Sequence, residues 1–371
     1  MSTLDTALKI EQVSAIPLRI PFTHGAAGAR SGGQAWTALE TLLVRVETKD
    51  GLVGWGEAFS YSSLKPAQAA VEEMVAPLAV GREVTGIAGF MRELQQMLHI
   101  FGRYGITLHA LSGLDIALWD LAAKAAGVPL RTLITPDAPD TALAGYASLY
   151  RYADPERVAE KCDEALAQGY QVIKLHEITE EDVRAARVQI GDGIALTVDT
   201  NCPWTPEEAR DMALRFKPYD LLWLEEPIFP PEDFEALAAL QDEVGIPLAA
   251  GENACTRYQH RQMMAAGAVT YVQPSVTKVG GVTEFLEVAG LTRAAGLKLM
   301  AHSPYFGPGW LATLQLLAAL PDPGFVERLF VDVEASLYGS LIDAVDGRFR
   351  LPDGPGLGPD PDPDVIKTYR V

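Results

Sequence analysis

The first sixty residues alternate apolar and polar positions. IEQVSAIPLRI, ALETLLVRVET and VGWGEAF therefore read as strands, with the KDG turn at 49–51 joining the last two as a hairpin. Between the first two runs lies PFTHGAAGARSGGQ, a Gly/Ala-rich loop. From about Ser63 to Gly127 the period becomes helical, and ALSGLDIALWDLAAKAAGVPL (110–130) ends on Gly-Val-Pro, a helix stop. After about Asp140 the pattern changes again. The short apolar runs LAGYASLY, YQVIKLHE, ALTVDTN, LLWLEEP, PLAAGEN, TYVQPSV, LKLMAHS and FVERLF are separated by helical stretches such as EEDVRAARVQI and TPEEARDMALRF. Strand then helix, repeated with little spare loop, predicts parallel strands and crossover helices. A closed barrel is favoured over an open doubly wound sheet, because no G-x-G-x-x-G fingerprint follows the first run. From about Glu334 the rhythm stops, and the Pro- and Asp-rich GRFRLPDGPGLGPDPDPD reads as packing back on the N-terminal unit.

Length and composition narrow the function classes. The 371 residues suffice for a barrel of about 250 residues plus a smaller unit. A formal charge of −19, spread along the chain, argues against nucleic-acid or anionic-membrane binding. Cys162, Cys202 and Cys255 are too few for a disulfide framework. No signal peptide is evident in MSTLDTALKIEQV, and no apolar run reaches the roughly 18 residues of a membrane span. The expectation is a cytoplasmic globular protein.

In a barrel of this kind, the residues at the C-terminal ends of the strands face the site. Carboxylates end three successive runs, at Asp199, Glu225 and Glu252, one repeat unit apart. Three converging carboxylates repel unless a cation neutralises them, and an oxygen-only set suits Mg²⁺. The alternative is that each acid caps a helix or pairs with a lysine. Lys174 and His176 stand two apart on one run, so they share a face; the bland reading pairs Lys174 with Asp199 and bonds His176 to backbone. His302 ends the seventh run and Glu327 lies in the eighth. A metal beside a substrate carboxylate, with bases flanking it, suits removal of an α-proton.

With these residues in hand, the chain resembles the enolase superfamily, and within it the mandelate racemase/muconate lactonizing enzyme group. ALWDLAAKAAGVPL, IKLH, VDTN, WLEEP, AGEN, KVGGVTEF and PGLGPDPDPDVIKTYRV stand in the family's order over nearly the whole length. The resemblance implies an α/β fold, a (β/α)₇β TIM-type barrel with an α+β capping domain. The division expected is cap at 1–135, barrel at 136–333 and a returning segment at 334–371. Asp199, Glu225 and Glu252 then hold Mg²⁺, a Lys or His base works beside it, and loops near His24–Arg30 and Ala58–Tyr61 close over the substrate. The second-strand motif, Lys-x-Lys in many members, is Lys174-x-His176 here. His176 inherits the base role and Lys174 the substrate carboxylate, with Lys174 as the alternative base.

A second departure falls on the sixth run, where racemase-like members place an Asp that orients the seventh-run His. This chain has Ser275. His302 is then a weaker base and a serviceable acid, which favours one-way elimination over two-base racemisation. Glu327 matches an acid that assists the carboxylate, with a salt bridge to Arg328 or a neighbour as its alternative. The expected reaction is α-proton abstraction from a sugar acid to an enediolate, then β-elimination of water. The alternatives are a racemase/epimerase or lactone cycloisomerase, a non-catalytic sugar-acid binder and, less well supported for want of an early His-x-His pair, a barrel metallohydrolase. His24, Asn201, Asn253 and Ser275 are candidate substrate contacts, and Arg30, Arg103, Tyr104, Tyr305 and Trp310 candidate rim groups. SPYFGPGW after His302 reads as shaping the pocket. The partner expected is a small-molecule carboxylate, and the resemblance implies a homo-oligomer.

Overall fold

The computed structural model describes residues 7–25, 30–31 and 34–371; the first six residues and residues 26–29 and 32–33 of the Gly/Ala-rich loop lie outside the described residues, as does the Arg30 side chain. The alternating N-terminal runs form β1 (Leu8–Thr23), β2 (Ala38–Thr48) and β3 (Val53–Ala58), an antiparallel meander. The helical region is more broken than its period suggests. Helical segments cover Leu64–Ala79, a two-residue strand at Glu83–Val84 pairs with β1, and then come α1 (Ile87–Leu98) and α2 (Ile106–Ala125). By length and composition α2 is apolar enough to span a membrane, contrary to the sequence expectation, but 83% of its most apolar window is buried inside the fold.

Close approach explains why α2 can lie flat on the meander. A Cβ on Gly54 would sit 2.3 Å from the Ala117 carbonyl oxygen, and one on Gly56 would sit 1.9 Å from that of Gly113. Only glycine lets strand and helix backbones meet at that distance. Two buried acids then fix the seam. Asp120 accepts from the backbone N–H groups of Trp55 (2.9 Å) and Leu357 (2.7 Å), tying helix, meander and tail together. Asp115 accepts from the Thr283 backbone N–H (3.0 Å) and hydroxyl (2.5 Å), at the start of a barrel helix.

The eight repeats form a parallel sheet of β4 (Leu143–Ser148), β5 (Val172–Leu175), β6 (Ala195–Asp199), β7 (Leu221–Glu225), β8 (Leu248–Ala250), β9 (Tyr271–Val272), β10 (Lys298–Leu299) and β11 (Val326–Leu329). The sheet runs in order from β4 to β10, with β11 beside β4. Its ends meet where Ser303 donates from its backbone N–H to the Glu327 carboxylate (2.9 Å) and from its hydroxyl to the Glu327 carbonyl (3.2 Å). Seven helices cross between the strands: α3 (Pro155–Ala167), α4 (Glu180–Ile190), α5 (Pro206–Phe216), α6 (Phe234–Val244), α7 (Thr256–Ala265), α8 (Gly281–Ala294) and α9 (Pro308–Ala318). Four begin on a side chain, Asp154, Thr179, Thr205 or Asp233, that accepts from the first-turn N–H groups left unpaired by the helix.

After β11 the chain runs along both the meander and the barrel. β12 (Asp332–Val333) pairs antiparallel with the end of β1, and Arg370 bridges to Leu18. It also does something the sequence reading omitted: β13 (Arg348–Phe349) pairs antiparallel with the start of β4, beside the barrel. A Cβ on Gly145 would strike the Phe349 ring at 2.3 Å, so a glycine in β4 makes room for it.

The Gly56→Ala variant is expected to lose about 2–3 kcal/mol, the usual cost of overpacking against a backbone that cannot yield, read from urea unfolding; an unchanged midpoint would contradict the seam. A second expectation concerns pH. Burial raises the Glu57 carboxyl from its ordinary value to about 8, against a lowering contribution from the Gly309 N–H. The fold therefore prefers Glu57 protonated, a contribution that is full at acid pH and is lost as pH climbs to and past about 8. Glu57→Gln keeps an acceptor for Gly309, so its Tm should fall less between pH 5 and pH 9 than the wild type's. Parallel curves would show that Glu57 ionises without cost.

Candidate functional site

The barrel interior explains which residues reach the site. Tyr146, Val172, Trp223, Ala249 and Met300 form a buried layer inside the strands. Side chains two residues further along a strand point to the same face. Ser148, Lys174 with His176 beyond it, Glu225 and His302 are those next-layer residues, and Asp199 follows Thr197 in the same way. The β6–β7 register sets Asp199 directly beside Glu225. Beyond the ligand positions the chain turns sharply, with Asn201, Cys202 and Glu226 at positive φ (53°, 54° and 43°). The later strands stop earlier than the apolar runs suggest, at Ala250, Val272 and Leu299, and after β9 Pro274 has no N–H for the ladder. Glu252, Ser275 and His302 thus sit on extended chain just past β8, β9 and β10.

Oxygen atoms of Asp199, Glu225 and Glu252 lie within 4.8 Å of one another. Lys174, fully buried, places its Nζ 2.9 Å from Asp199 Oδ2, 2.6 Å from Glu225 Oε1 and 3.2 Å from Glu327 Oε1. Burial works against the Lys174 charge, but Asp199, Glu225 and Glu327 outweigh it and hold the ammonium protonated. Asp199 is buried too, yet the Lys174 ammonium holds its carboxyl well below the usual range. Glu225 goes the other way. Burial and the neighbouring Asp199 raise it, although it accepts from Lys174, from Trp223 Nε1 (3.0 Å) and from Gln273 Nε2 (2.8 Å). Lys174, and Lys278 at Glu252, offset this group of acids only in part, so the donor set fits a hard divalent cation.

The remaining candidates divide by surroundings. His176 is partly exposed (18%); its Nδ1 lies 2.5 Å from the Leu149 carbonyl oxygen and its Nε2 lies 3.4 Å from Asp199 Oδ2. His302 Nε2 lies 2.8 Å from Glu252 Oε2, at the other end of the carboxylate group. Burial tends to raise Glu252, but His302 and Lys278 hold it low. Glu327 accepts from Ser148, Lys174 and the Ser303 N–H, while Arg328 turns away to the Ile342 carbonyl. Asn201 braces Asp199 (Nδ2 to Oδ1, 2.9 Å), and Asn253 donates to the Glu226 carboxylate (3.1 and 3.0 Å). Burial and Glu252 raise the Glu226 carboxyl to about 8. His24 stacks on Tyr150, with ring centroids 4.5 Å apart. Trp310 is fully buried against Phe349 and is no rim group. Arg103 and Tyr104 stack on each other, and Arg103 also lies over Tyr258.

Sequence reasoning missed four supports. Lys278 reaches Glu252 (3.3 Å) and Asn253 (3.2 Å), Gln273 and Trp223 hold Glu225, and Arg151 donates to the carbonyls of His176 and Thr200. Tyr305 had been singled out only as a rim group. It is buried, with its hydroxyl bonded to Ser275 and 3.3 Å from His302 Nδ1. Ser275, 1% exposed, thus faces Tyr305 rather than lining the open mouth as a substrate contact would.

Known proteins share this architecture. Residues 33–135 match the mandelate racemase/muconate lactonizing enzyme N-terminal domain, and residues 157–365 match the enolase C-terminal domain-like family. The chain is 31% identical over 350 residues to a D-galactarolactone cycloisomerase of Agrobacterium fabrum, covering 89% of this chain and 91% of that one. It is 29% identical over 336 residues to an arabinonate dehydratase of Saccharolobus solfataricus, covering 88% and 89%. A solved mandelate racemase/muconate lactonizing enzyme from Bordetella bronchiseptica superposes with a TM-score of 0.86 at 30% identity, covering 98% of this chain and 99% of that one. The chain belongs to the enolase superfamily, in its mandelate racemase/muconate lactonizing enzyme group.

Proposed function

We propose that this protein is a Mg²⁺-dependent acid-sugar dehydratase, with sugar-acid lactone cycloisomerisation as the second reading. The observation that carries the proposal is the placing of two histidines at the two ends of the carboxylate group, His176 beside Asp199 and His302 beside Glu252. Relatives of both reaction types match over most of the chain, and both reactions share α-proton removal followed by loss of a β-oxygen. Asp199, Glu225 and Glu252 would hold the ion. When bound, Mg²⁺ supplies Lewis-acid stabilisation of the charge that develops on the substrate carboxylate.

The chain's residues take the following roles. The Leu149 carbonyl can only accept, so His176 carries its hydrogen on Nδ1 and keeps the Nε2 lone pair for the α-proton. Lys174 is ringed by three carboxylates at hydrogen-bonding distance, so it serves as a fixed cation and not as the base. Glu327 holds Lys174 in place. As the α C–H bond breaks, its electron pair moves toward the carboxylate and then forms the Cα–Cβ double bond. The Cβ–O bond breaks, and the departing oxygen takes a proton from His302. Expulsion of water leaves an enol that becomes a 2-keto-3-deoxy acid. If the leaving oxygen belongs to a ring, the same step opens the ring with no loss of mass.

The domain division at 135 and 333 belongs to this reading, supported by the meander, the eight-strand sheet and the returning tail. So does a homo-oligomer, supported by exposed Ile100 and Phe101, and a cytoplasmic location, supported by three unpaired cysteines.

Purified protein with Mg²⁺ should convert one stereochemical series of mono- or di-acid sugars to a keto acid trapped with semicarbazide, with α-proton exchange in deuterated water. Glu225→Gln and His176→Asn should each cost at least about 10²-fold in kcat, the scale of a lost general base or electrostatic contact. Keto acid formed from a lactone or anhydro acid with the mass retained would move the assignment to cycloisomerase, and exchange with the mass retained and no keto acid would move it to racemase. Inactivity across acids and lactones, with Mg²⁺ still bound, would make the protein a binder.

A further inference from the structure

We propose that Tyr305, anchored by Ser275, is the positioning residue that orients His302 and so couples departure of the β-oxygen to removal of the α-proton; this rests on the proton-abstraction reading above. The Tyr305 hydroxyl lies between the Ser275 hydroxyl and His302 Nδ1, which is 3.3 Å away. All three residues are buried, at 1%, 1% and 7% exposure for Ser275, Tyr305 and His302. The Tyr305 and His302 rings meet edge-on, with centroids 5.9 Å apart at 84°.

The phenol is itself held from several directions. Its backbone N–H donates to the Ser303 carbonyl (2.7 Å), and Ser303 is pinned to Glu327. The Tyr61 hydroxyl donates to the Pro304 carbonyl (2.5 Å), and Glu57 accepts from the Gly309 N–H (2.8 Å). A Cβ on Gly307 would lie 2.6 Å from the Glu57 carboxylate, so the loop meets the cap at the closest approach its glycines allow. The cap therefore fixes the loop that carries both His302 and Tyr305.

A hydroxyl suits this place for two physical reasons. It donates or accepts, so it can serve Nδ1 whichever ring nitrogen carries the hydrogen, whereas a carboxylate only accepts. It is also neutral. Asp199, Glu225, Glu252 and Glu327 are already gathered in the barrel mouth, and a fifth carboxylate at position 275 would add to a negative charge that Lys174 and Lys278 offset only in part. Ser275 and Tyr305 orient the ring without that charge.

The test follows α-proton exchange in deuterated water and product formation side by side, with Mg²⁺ and a substrate from the acid-sugar screen. In Tyr305→Phe, product formation should fall about 10- to 100-fold, the scale of a misplaced catalytic group. KM should stay near wild type and exchange through His176 should persist, so the exchange-to-product ratio rises. Ser275→Ala should shift the ratio the same way, by less, and stands in if the Phe variant does not fold. Exchange and product falling together, with the ratio unchanged, would overturn the proposal. A substrate-free arm separates this from failure of the functional reading. The ¹⁵N side-chain signals of His302, identified by their loss in His302→Gln, should move in Tyr305→Phe even if no sugar acid is turned over. Unmoved signals in a folded variant would also overturn it.

Discussion

A buried ammonium among converging carboxylates is the constraint on which this architecture turns. Lys174 has no contact with solvent and lies within 3.2 Å of acids from three other strands, Asp199, Glu225 and Glu327. Each of these groups would be costly to bury alone. Together they require β5, β6, β7 and β11 to end at one level, so the charge cluster and the barrel register specify each other. Removing one partner from such a set leaves an uncompensated buried charge, which costs about 3–5 kcal/mol in comparable cases. The cluster is also incomplete by design of its charges. Glu225 remains unfavourable as an anion beside Asp199, and that deficit makes the site receptive to a divalent cation.

The cap braces the loop that carries His302. Glycines at 54 and 56 bring the meander onto α2, Asp115 and Asp120 lock α2 to the barrel and tail, and Glu57 and Tyr61 hold the loop after His302. This gives a continuous chain of contacts from cap sheet to histidine. His176 is set separately, by the Leu149 carbonyl and by Arg151 on its own carbonyl. The two histidines thus have independent supports, which fits the different roles proposed for them.

Much of this was legible in the sequence because strand ends in a repeating barrel are periodic. Eight apolar runs marked eight strands, and Asp199, Glu225 and Glu252 stood at equivalent places in three of them. Lys174 and His176 shared a face by simple alternation. Contacts that join distant parts of the chain were not legible. Nothing local tells that Tyr305 turns back to Ser275 and His302, or that Lys278 reaches Glu252. Ser275 looked like a missing partner because its replacement lies thirty residues downstream. Lys174 illustrates a subtler limit: the bland reading, a lysine paired with Asp199, describes its contacts correctly, but the pair is part of the site. The β13 strand escaped notice because two residues in a Pro-rich tail carry no period.

Anomalous diffraction from a crystal soaked in Mn²⁺, a hard-cation substitute for Mg²⁺, tests the central claim most directly. The account predicts one strong peak bounded by Asp199, Glu225 and Glu252, with Lys174 still in contact with Glu327. A barrel mouth without a peak, or a peak held by other residues, would contradict it.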